Sequence, residues 1–261
     1  MQLDMFVHLI EIFIFTIGLC VGSFLNVCIY RLPNSKSIVH PGSTCPQCAT
    51  AIRFYDNIPV LSYLWLKGHC RYCGAAIPLR YPIVELIGGL FALGTYLKFG
   101  LTIEMPIYYI FIAALLVVTF IDIDHRIIPD VITLPGIPLF FAASFALPQI
   151  TYTQSLAGIV LGGGSLFLVA WIYNLITKRE GMGGGDIKLL AMIGAVIGWQ
   201  GVLFTIFASS LIGTLAGLVV MVQSRQGMKL AVPFGPFLAI GSIIYLFFGT
   251  RLITLYINLL R

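Results

Sequence analysis

The sequence predicts an all-α integral membrane protein, a polytopic bundle of about eight transmembrane helices with a small cytoplasmic four-cysteine zinc-binding loop domain. Three observations point there. Of 261 residues, 59% are hydrophobic and 10% charged, whereas a soluble domain is about 45–50% apolar and about 25% charged. Apolar runs close to the roughly 20 residues a spanning helix needs recur along the chain. Two Cys-x-x-Cys pairs fall inside the one markedly polar stretch, residues 31–80. The formal net charge of +5 calls for no nucleic acid, because cytoplasmic loops of membrane proteins are routinely basic.

The expected spans are 5–30, 82–98, 106–122, 131–148, 154–177, 187–199, 201–222 and 234–258. The first is too long for a signal peptide and no small-residue cleavage site follows it, so it is read as a retained helix. The sixth is short and ends at Trp199-Gln200-Gly201. No repeat of 20–50 residues is visible. The organisation expected is a first transmembrane helix (1–30), a loop domain (31–80) and a transmembrane bundle (81–261).

Lys and Arg orient the chain. Residues 31–80 carry Arg31, Lys36, Arg53, Lys67, Arg71 and Arg80. Later turns on the same side carry Arg126, Lys178, Arg179, Lys188, Arg225 and Lys229, which leaves Lys98, Arg251 and Arg261 opposite. The positive-inside rule then puts 31–80 in the cytoplasm and both termini outside. It puts Asp122 and Asp186 together at cytoplasmic helix ends.

Within the loop, Cys45-Pro46-Gln47-Cys48 and Cys70-Arg71-Tyr72-Cys73 are separated by 21 residues. Each pair sets two thiolates on one tight turn, and two such turns make a tetrahedral site for zinc. Disulfides are the alternative, and the reducing side of the membrane disfavours them. Four cysteines leave no open coordination position, so the zinc is read as structural. A loop this small gains folding energy from the metal. His69 adjoins Cys70 but is not needed in a complete shell. Cys20 and Cys28 lie in the first span and behave as small hydrophobes.

The acids carry the chemistry. A carboxylate near hydrocarbon is by default a functional-site hypothesis. Asp122 and Asp124 are two residues apart and point about 200° away from one another on a helix. One is expected to face the bundle and the other water. Asp130 follows Pro129 and suits a helix N-terminus. Asp186 follows Gly183-Gly184-Gly185, with Gly181 just before. Capping would explain an Asp there but not the glycines, which permit positive φ and close backbone approach. Two carboxylates held together in a low-dielectric site share a proton and can cleave a peptide bond. A proton or cation site in a transporter is the rival reading. Acids at the membrane edge, rather than near the midplane, lean away from transport. Pro233-Phe234-Gly235-Pro236 opens the last span, either as a helix-start kink or as irregular backbone lining a site.

Six elements in order resemble the type IV prepilin peptidases. They are Gly22-Ser23-Phe24-Leu25-Asn26-Val27 with Arg31-Leu32-Pro33, both Cys-x-x-Cys pairs, Arg80-Tyr81-Pro82 with Glu85-Leu86, the run Ile121 to Asp130 ending in Thr133, the Gly-Gly-Gly-Asp box, and Pro233-Phe234-Gly235-Pro236. The resemblance implies a bacterial inner-membrane aspartic protease with Asp122 and Asp186 as its catalytic pair. It implies cleavage of the leader of prepilins or pseudopilins, then N-methylation of the new N-terminal residue with S-adenosylmethionine. The four-cysteine loop favours this bifunctional branch over a cleavage-only one. The methyl-transfer site is expected between the loop and the membrane, near Asn26, Arg31 and Glu85. For Glu85 an ion pair with Arg80 or Arg31 is the competing reading. The basic face is suited to lipid head groups.

Overall fold

The computed structural model describes residues 2–178, 183–224 and 233–259. Met1, Arg179, Gly181, Arg225, Lys229 and Arg261 lie outside them. Among the described residues the structure is helical: α1 (Gln2–Arg31), α2 (Leu61–Trp65), α3 (Arg80–Phe99), α4 (Glu104–His125), α5 (Asp130–Ala143), α6 (Tyr152–Thr177), α7 (Gly184–Ser224) and α8 (Gly235–Leu259). Five of these (α1, α3, α4, α6 and α7) are long and apolar enough to cross a membrane, while α5 and α8 are apolar but have shorter described cores.

Local chemistry sets the ends. Pro33 follows α1. Gly100 closes α3 at φ 67°, its N–H donating to the Tyr96 carbonyl at 2.7 Å. Arg126 closes α4 at φ 56°, donating to the Asp122 carbonyl at 2.9 Å. Thr151 and Gln154 form a reciprocal capping box at the start of α6, which satisfies two otherwise orphaned backbone donors. The sixth and seventh expected spans are the two helical halves of α7, which meet at a kink at Gly198 (φ 69°, ψ −179°). That left-handed backbone suits glycine and breaks the helix close to the expected boundary at Gln200.

The chain divides into two compact units, Met1–Val117 and Val118–Arg261. In the first, α1 crosses α3 on glycine. A Cβ added to Gly22 would lie 2.7 Å from Glu85 Cα, and one on Gly88 would lie 2.9 Å from the Gly18 carbonyl. Lipid offers no hydrophobic drive between helices, so small residues that let backbones approach supply the packing. The Tyr109 hydroxyl on α4 donates to the Gly18 and Gly88 carbonyls at 3.3 and 3.2 Å, tying the three helices together.

The second unit repeats the device. A Cβ on Gly158 of α6 would lie 2.2 Å from the Gly194 carbonyl of α7, and one on Gly162 would lie 2.4 Å from the Leu190 carbonyl. Ser155 Oγ donates to the Ala195 carbonyl at 2.7 Å. Met192 of α7 fills the space over Gly136 of α5. Away from these contacts α6 presents Leu156, Val160 and Phe167 outward, as a lipid-facing stripe would. Gly158→Ala should therefore destabilise the protein by ~1–3 kcal/mol, the usual cost of overpacking. Gly164→Ala, whose Cβ meets nothing within 4 Å, should leave the thermal midpoint in detergent unchanged.

Candidate active site and metal centre

The acids lie in the second unit. Asp122 is three residues from the end of α4 and is only 5% exposed. Asp124 is exposed, so the two point to different surroundings, as their spacing requires. Asp122 Oδ2 accepts a hydrogen bond from the Gly235 backbone N–H at 3.0 Å. Gly235 is the first residue of α8, where N–H groups have no intrahelical partner, so the break at Pro233-Phe234-Gly235-Pro236 lines the acid site. A Cβ on Gly235 would lie 2.7 Å from that carboxylate oxygen, which makes glycine a steric requirement there.

Asp186 stands in the first turn of α7, and its own N–H donates to the Gly183 carbonyl at 3.2 Å. It is inside the helix rather than at the capping position. Its Oδ1 is buried without a hydrogen-bond partner among the described residues. The glycine before Asp186 and the glycine that binds Asp122 both pack on Ile128, at 2.8 and 3.4 Å from their missing Cβ atoms, so the helix ends that carry the two acids meet at one side chain. The glycine run serves packing more than backbone freedom. A Cβ on Gly185 would strike Ile128 Cβ at 2.8 Å, whereas one on Gly183 or Gly184 would meet nothing within 4 Å among the described residues, and none of the three has a positive φ. Ile128 also approaches Gly235 and so stands between the two segments. Asp130 opens α5 but makes no capping hydrogen bond. Its carboxylate instead receives Lys188 Nζ at 2.8 Å on both oxygens, tying the start of α5 to the first turns of α7.

The cysteines lie in the first unit. The sulfurs of Cys45, Cys48, Cys70 and Cys73 all lie within 4.8 Å of one another, and those of Cys45 and Cys73 are 3.8 Å apart. Zinc–thiolate bonds of about 2.3 Å imply sulfur–sulfur edges of about 3.8 Å, so the donor set fits a tetrahedral metal. The two turns have the same backbone pattern. Cys45 N–H bonds the Thr50 carbonyl and Ala49 N–H the Cys45 carbonyl; Cys70 N–H bonds the Ala75 carbonyl and Gly74 N–H the Cys70 carbonyl. Bridges Thr44–Ala51 and His69–Ala76 complete each turn. This structural duplication is offset by 25 residues; the cysteines, Ala51-Ile52 and Ala76-Ile77 recur in it, a match too short to stand out as a sequence repeat. Hydrogen bonds from the Thr50 side chain and backbone pull the Cys48 thiol down to about 6, whereas, against a backbone hydrogen bond from Ala75, desolvation and the neighbouring thiols push Cys73 up to about 11. His69 turns away, its Nδ1 lying 2.7 Å from the Lys67 carbonyl.

Asn26, Arg31 and Glu85 line one cavity of ≈240 Å³ between α1, the start of α3 and the loop. Each also holds structure. Asn26 Nδ2 donates to the Tyr81 carbonyl at 3.0 Å. Arg31 donates to the carbonyls of Ser37, Pro41 and Gly42 at 2.8, 2.7 and 3.2 Å. Glu85 accepts from the Val60 N–H at 2.7 Å and from the Ser23 hydroxyl. The Arg31 guanidinium is thus spent on the loop backbone, and Glu85 serves a backbone donor. Arg71, between the second pair of cysteines, forks onto Asp56 at 2.8 and 2.6 Å. This guanidinium holds the Asp56 carboxyl below the usual carboxylate range, and both residues line the cavity.

Residues 16–99 match the family described as Bacterial Peptidase A24 N-terminal domain, and residues 109–218 match the Type IV leader peptidase family. A Pseudomonas aeruginosa protein named prepilin leader peptidase/N-methyltransferase is 38% identical over 93% of this chain and 91% of its own. The chain belongs to the type IV prepilin peptidase family. A Pseudomonas putida protein of the same name is 36% identical over 90% of each chain. A third, from Myxococcus xanthus, is 38% identical over 84% of this chain and 65% of its own. No solved structure matches.

The first family match contains the cysteine turns and the cavity residues, and the second contains both acids. Gly235 lies beyond the second match. The sequence offered that segment as a helix-start kink or as irregular backbone lining a site; the Gly235 N–H on Asp122 fits the second, but the bond itself had no sequence signal. The Glu85–Val60 and Asp56–Arg71 contacts had no sequence signal beyond the presence of charge. As a prepilin peptidase family member with a tetrahedral thiol set, the purified protein should carry about one metal ion per chain. Replacing Cys45 and Cys73 by Ser should release it and unfold the loop, so that trypsin cuts faster after the already exposed Arg53, Lys67 and Arg71, while far-UV circular dichroism keeps the helical signal.

Proposed function

We propose that the chain is an intramembrane aspartic protease of the bacterial inner membrane. On this reading it removes the leader from type IV prepilins or pseudopilins and methylates the new N-terminal residue, with the acid site and the loop on the cytoplasmic face of a bundle of about eight spans. The observation that carries the cleavage half is the pair of Asp122 and Asp186, on the ends of two spanning helices whose flanking glycines, Gly235 and Gly185, both pack on Ile128.

The reaction follows from two carboxyl groups sharing one proton. The ionised group takes a proton from water as the water oxygen adds to the scissile carbonyl carbon. The other group gives its proton to the carbonyl oxygen. The tetrahedral gem-diol then collapses: the C–N bond breaks, the leaving amine takes the proton first removed from water, and one hydroxyl returns its proton to the second carboxylate, which restores the shared proton and leaves a carboxylic acid. The Gly235 N–H orients Asp122 throughout. Gly183 and Gly184, with nothing within 4 Å of their missing Cβ atoms, leave room for an extended substrate backbone beside Asp186.

Zinc is the metal we assign to the four cysteines, in a structural role, because the closed thiolate shell leaves no position for substrate. The cavity beside it suits S-adenosylmethionine. Tyr30, Tyr63, Tyr72 and Tyr81 offer aromatic walls, and Glu85 and Asp56 offer negative charge to a cationic sulfonium. When bound, that cofactor supplies the methyl group.

The test is a purified protein incubated with a prepilin, with leader loss and methyl gain read by mass. Asp122→Asn and Asp186→Asn should each slow cleavage at least about a hundredfold with metal content unchanged; cleavage at the normal rate in either would sink the assignment. Glu85→Gln, which retains an acceptor for Val60, should lower methylation about tenfold or more and leave cleavage within about twofold. Equal loss of both activities would instead mean that Glu85 only holds the fold.

A further inference from the structure

The loop carries an apolar surface that neither the acid pair nor the cavity uses. In α2, Leu61, Leu64 and Trp65 are 61%, 66% and 82% exposed. They stand at i, i+3 and i+4, so they form one stripe. The other face of the same helix, Ser62 and Tyr63, lines the cavity. Phe54, 87% exposed, and Leu79, 64% exposed, lie on the same loop. The basic residues Arg53 and Lys67 flank the segment and are also exposed.

The position of α2 relative to the membrane follows from one hydrogen bond. α3 has 20 residues, about 30 Å of helix, which equals the hydrocarbon thickness of a bilayer. Arg80 therefore marks the boundary, and Glu85 stands roughly 7.5 Å inside it. A glutamate side chain reaches only roughly 5 Å. The Glu85 carboxylate thus stays at or below the boundary, and the Val60 N–H it binds at 2.7 Å is held at that level. Val60 is the residue before α2, and α2 is five residues long, about 7.5 Å. The polar interface outside the hydrocarbon is roughly 5–7 Å thick on each side. α2 cannot leave it.

We propose that α2 is an interfacial anchor, with Leu61, Leu64 and Trp65 inserted at the headgroup–acyl boundary and Arg53 and Lys67 on anionic head groups. Amphipathic segments with an indole on the apolar side and basic flanks partition there. The lipid surface then forms the outer support of the cavity wall that α2 provides.

The test uses the protein reconstituted in phosphatidylcholine/phosphatidylglycerol vesicles. The signal of Trp65 is the difference between the unaltered protein and Trp65→Phe, since Trp171 and Trp199 contribute equally to both. Trp171→Phe/Trp199→Phe, which leaves Trp65 alone, is the second route. Trp65 should lose about half or more of its emission to lipid brominated near the headgroup, less to lipid brominated near the chain end, and little to aqueous iodide. Iodide quenching without bromine quenching would overturn the proposal and leave the stripe facing water. Emission that ignores brominated lipid but changes on diluting the protein in lipid would overturn it in favour of a second copy. Emission that ignores brominated lipid but changes on adding a prepilin would overturn it in favour of the substrate.

Discussion

A buried carboxylate in an apolar helix bundle needs a donor, and a helix that starts inside protein has N–H groups that need an acceptor. The Gly235–Asp122 hydrogen bond meets both needs at once. It joins residues 113 apart in sequence and sets where α8 begins against the end of α4. The geometry tolerates little else, because the glycine has no room for a Cβ and the acid would otherwise sit 5% exposed without compensation. An unmet charge in such a place costs far more than an ordinary hydrogen bond returns. The Lys188–Asp130 pair and the wedge of Ile128 against Gly185 then bring the first turn of α7 into register. The acid pair is therefore a consequence of how three helix ends satisfy one another.

The first unit solves its own junction in the same way. Val60 sits at φ 62°, ψ −48° just before α2, an unfavourable conformation for a β-branched residue. Its N–H is taken by Glu85, 8% exposed on α3. A membrane helix thus holds the start of a loop helix through a carboxylate and a backbone donor. The rest of the loop has little apolar interior; Cys45 is its buried hydrophobic residue among those described. Arg31 on three carbonyls and Arg71 on Asp56 give it polar cross-links, and a metal on four thiols would close it. In a segment this small, such links replace the core that chain length cannot supply.

Spans were legible because hydropathy averages over some 20 residues and forgives local error. The break at Gly198 was legible only as the polar edge at Gln200, since a single left-handed residue has no hydropathic signature. The cysteine turns were legible from spacing alone, because thiols have few other reasons to pair in this way. The acids were harder. Helical periodicity separated Asp122 from Asp124 but did not say which faced inward; burial now distinguishes them. For Asp186 the local pattern suggested a cap, yet the helix begins two residues earlier. The glycine run suggested backbone freedom, yet Gly185 is small for Ile128. Both corrections come from contacts far away in sequence, which local chemistry does not report.

The two candidate sites differ in a way that suits two different reactants. On the proposed reading, the acids at the ends of spanning helices act where an apolar helical substrate would reside, and the cavity beside the polar four-cysteine loop is where a charged, water-soluble methyl donor would bind. The residues named for each site fall within one compact unit. On the proposed reading, that separation predicts the genetics of the fold: substitutions at Asp122, Asp186 or Gly235 act on peptide cleavage, and substitutions around Glu85 and the cysteines act on methyl transfer. A chain built as one continuous site would couple the two losses.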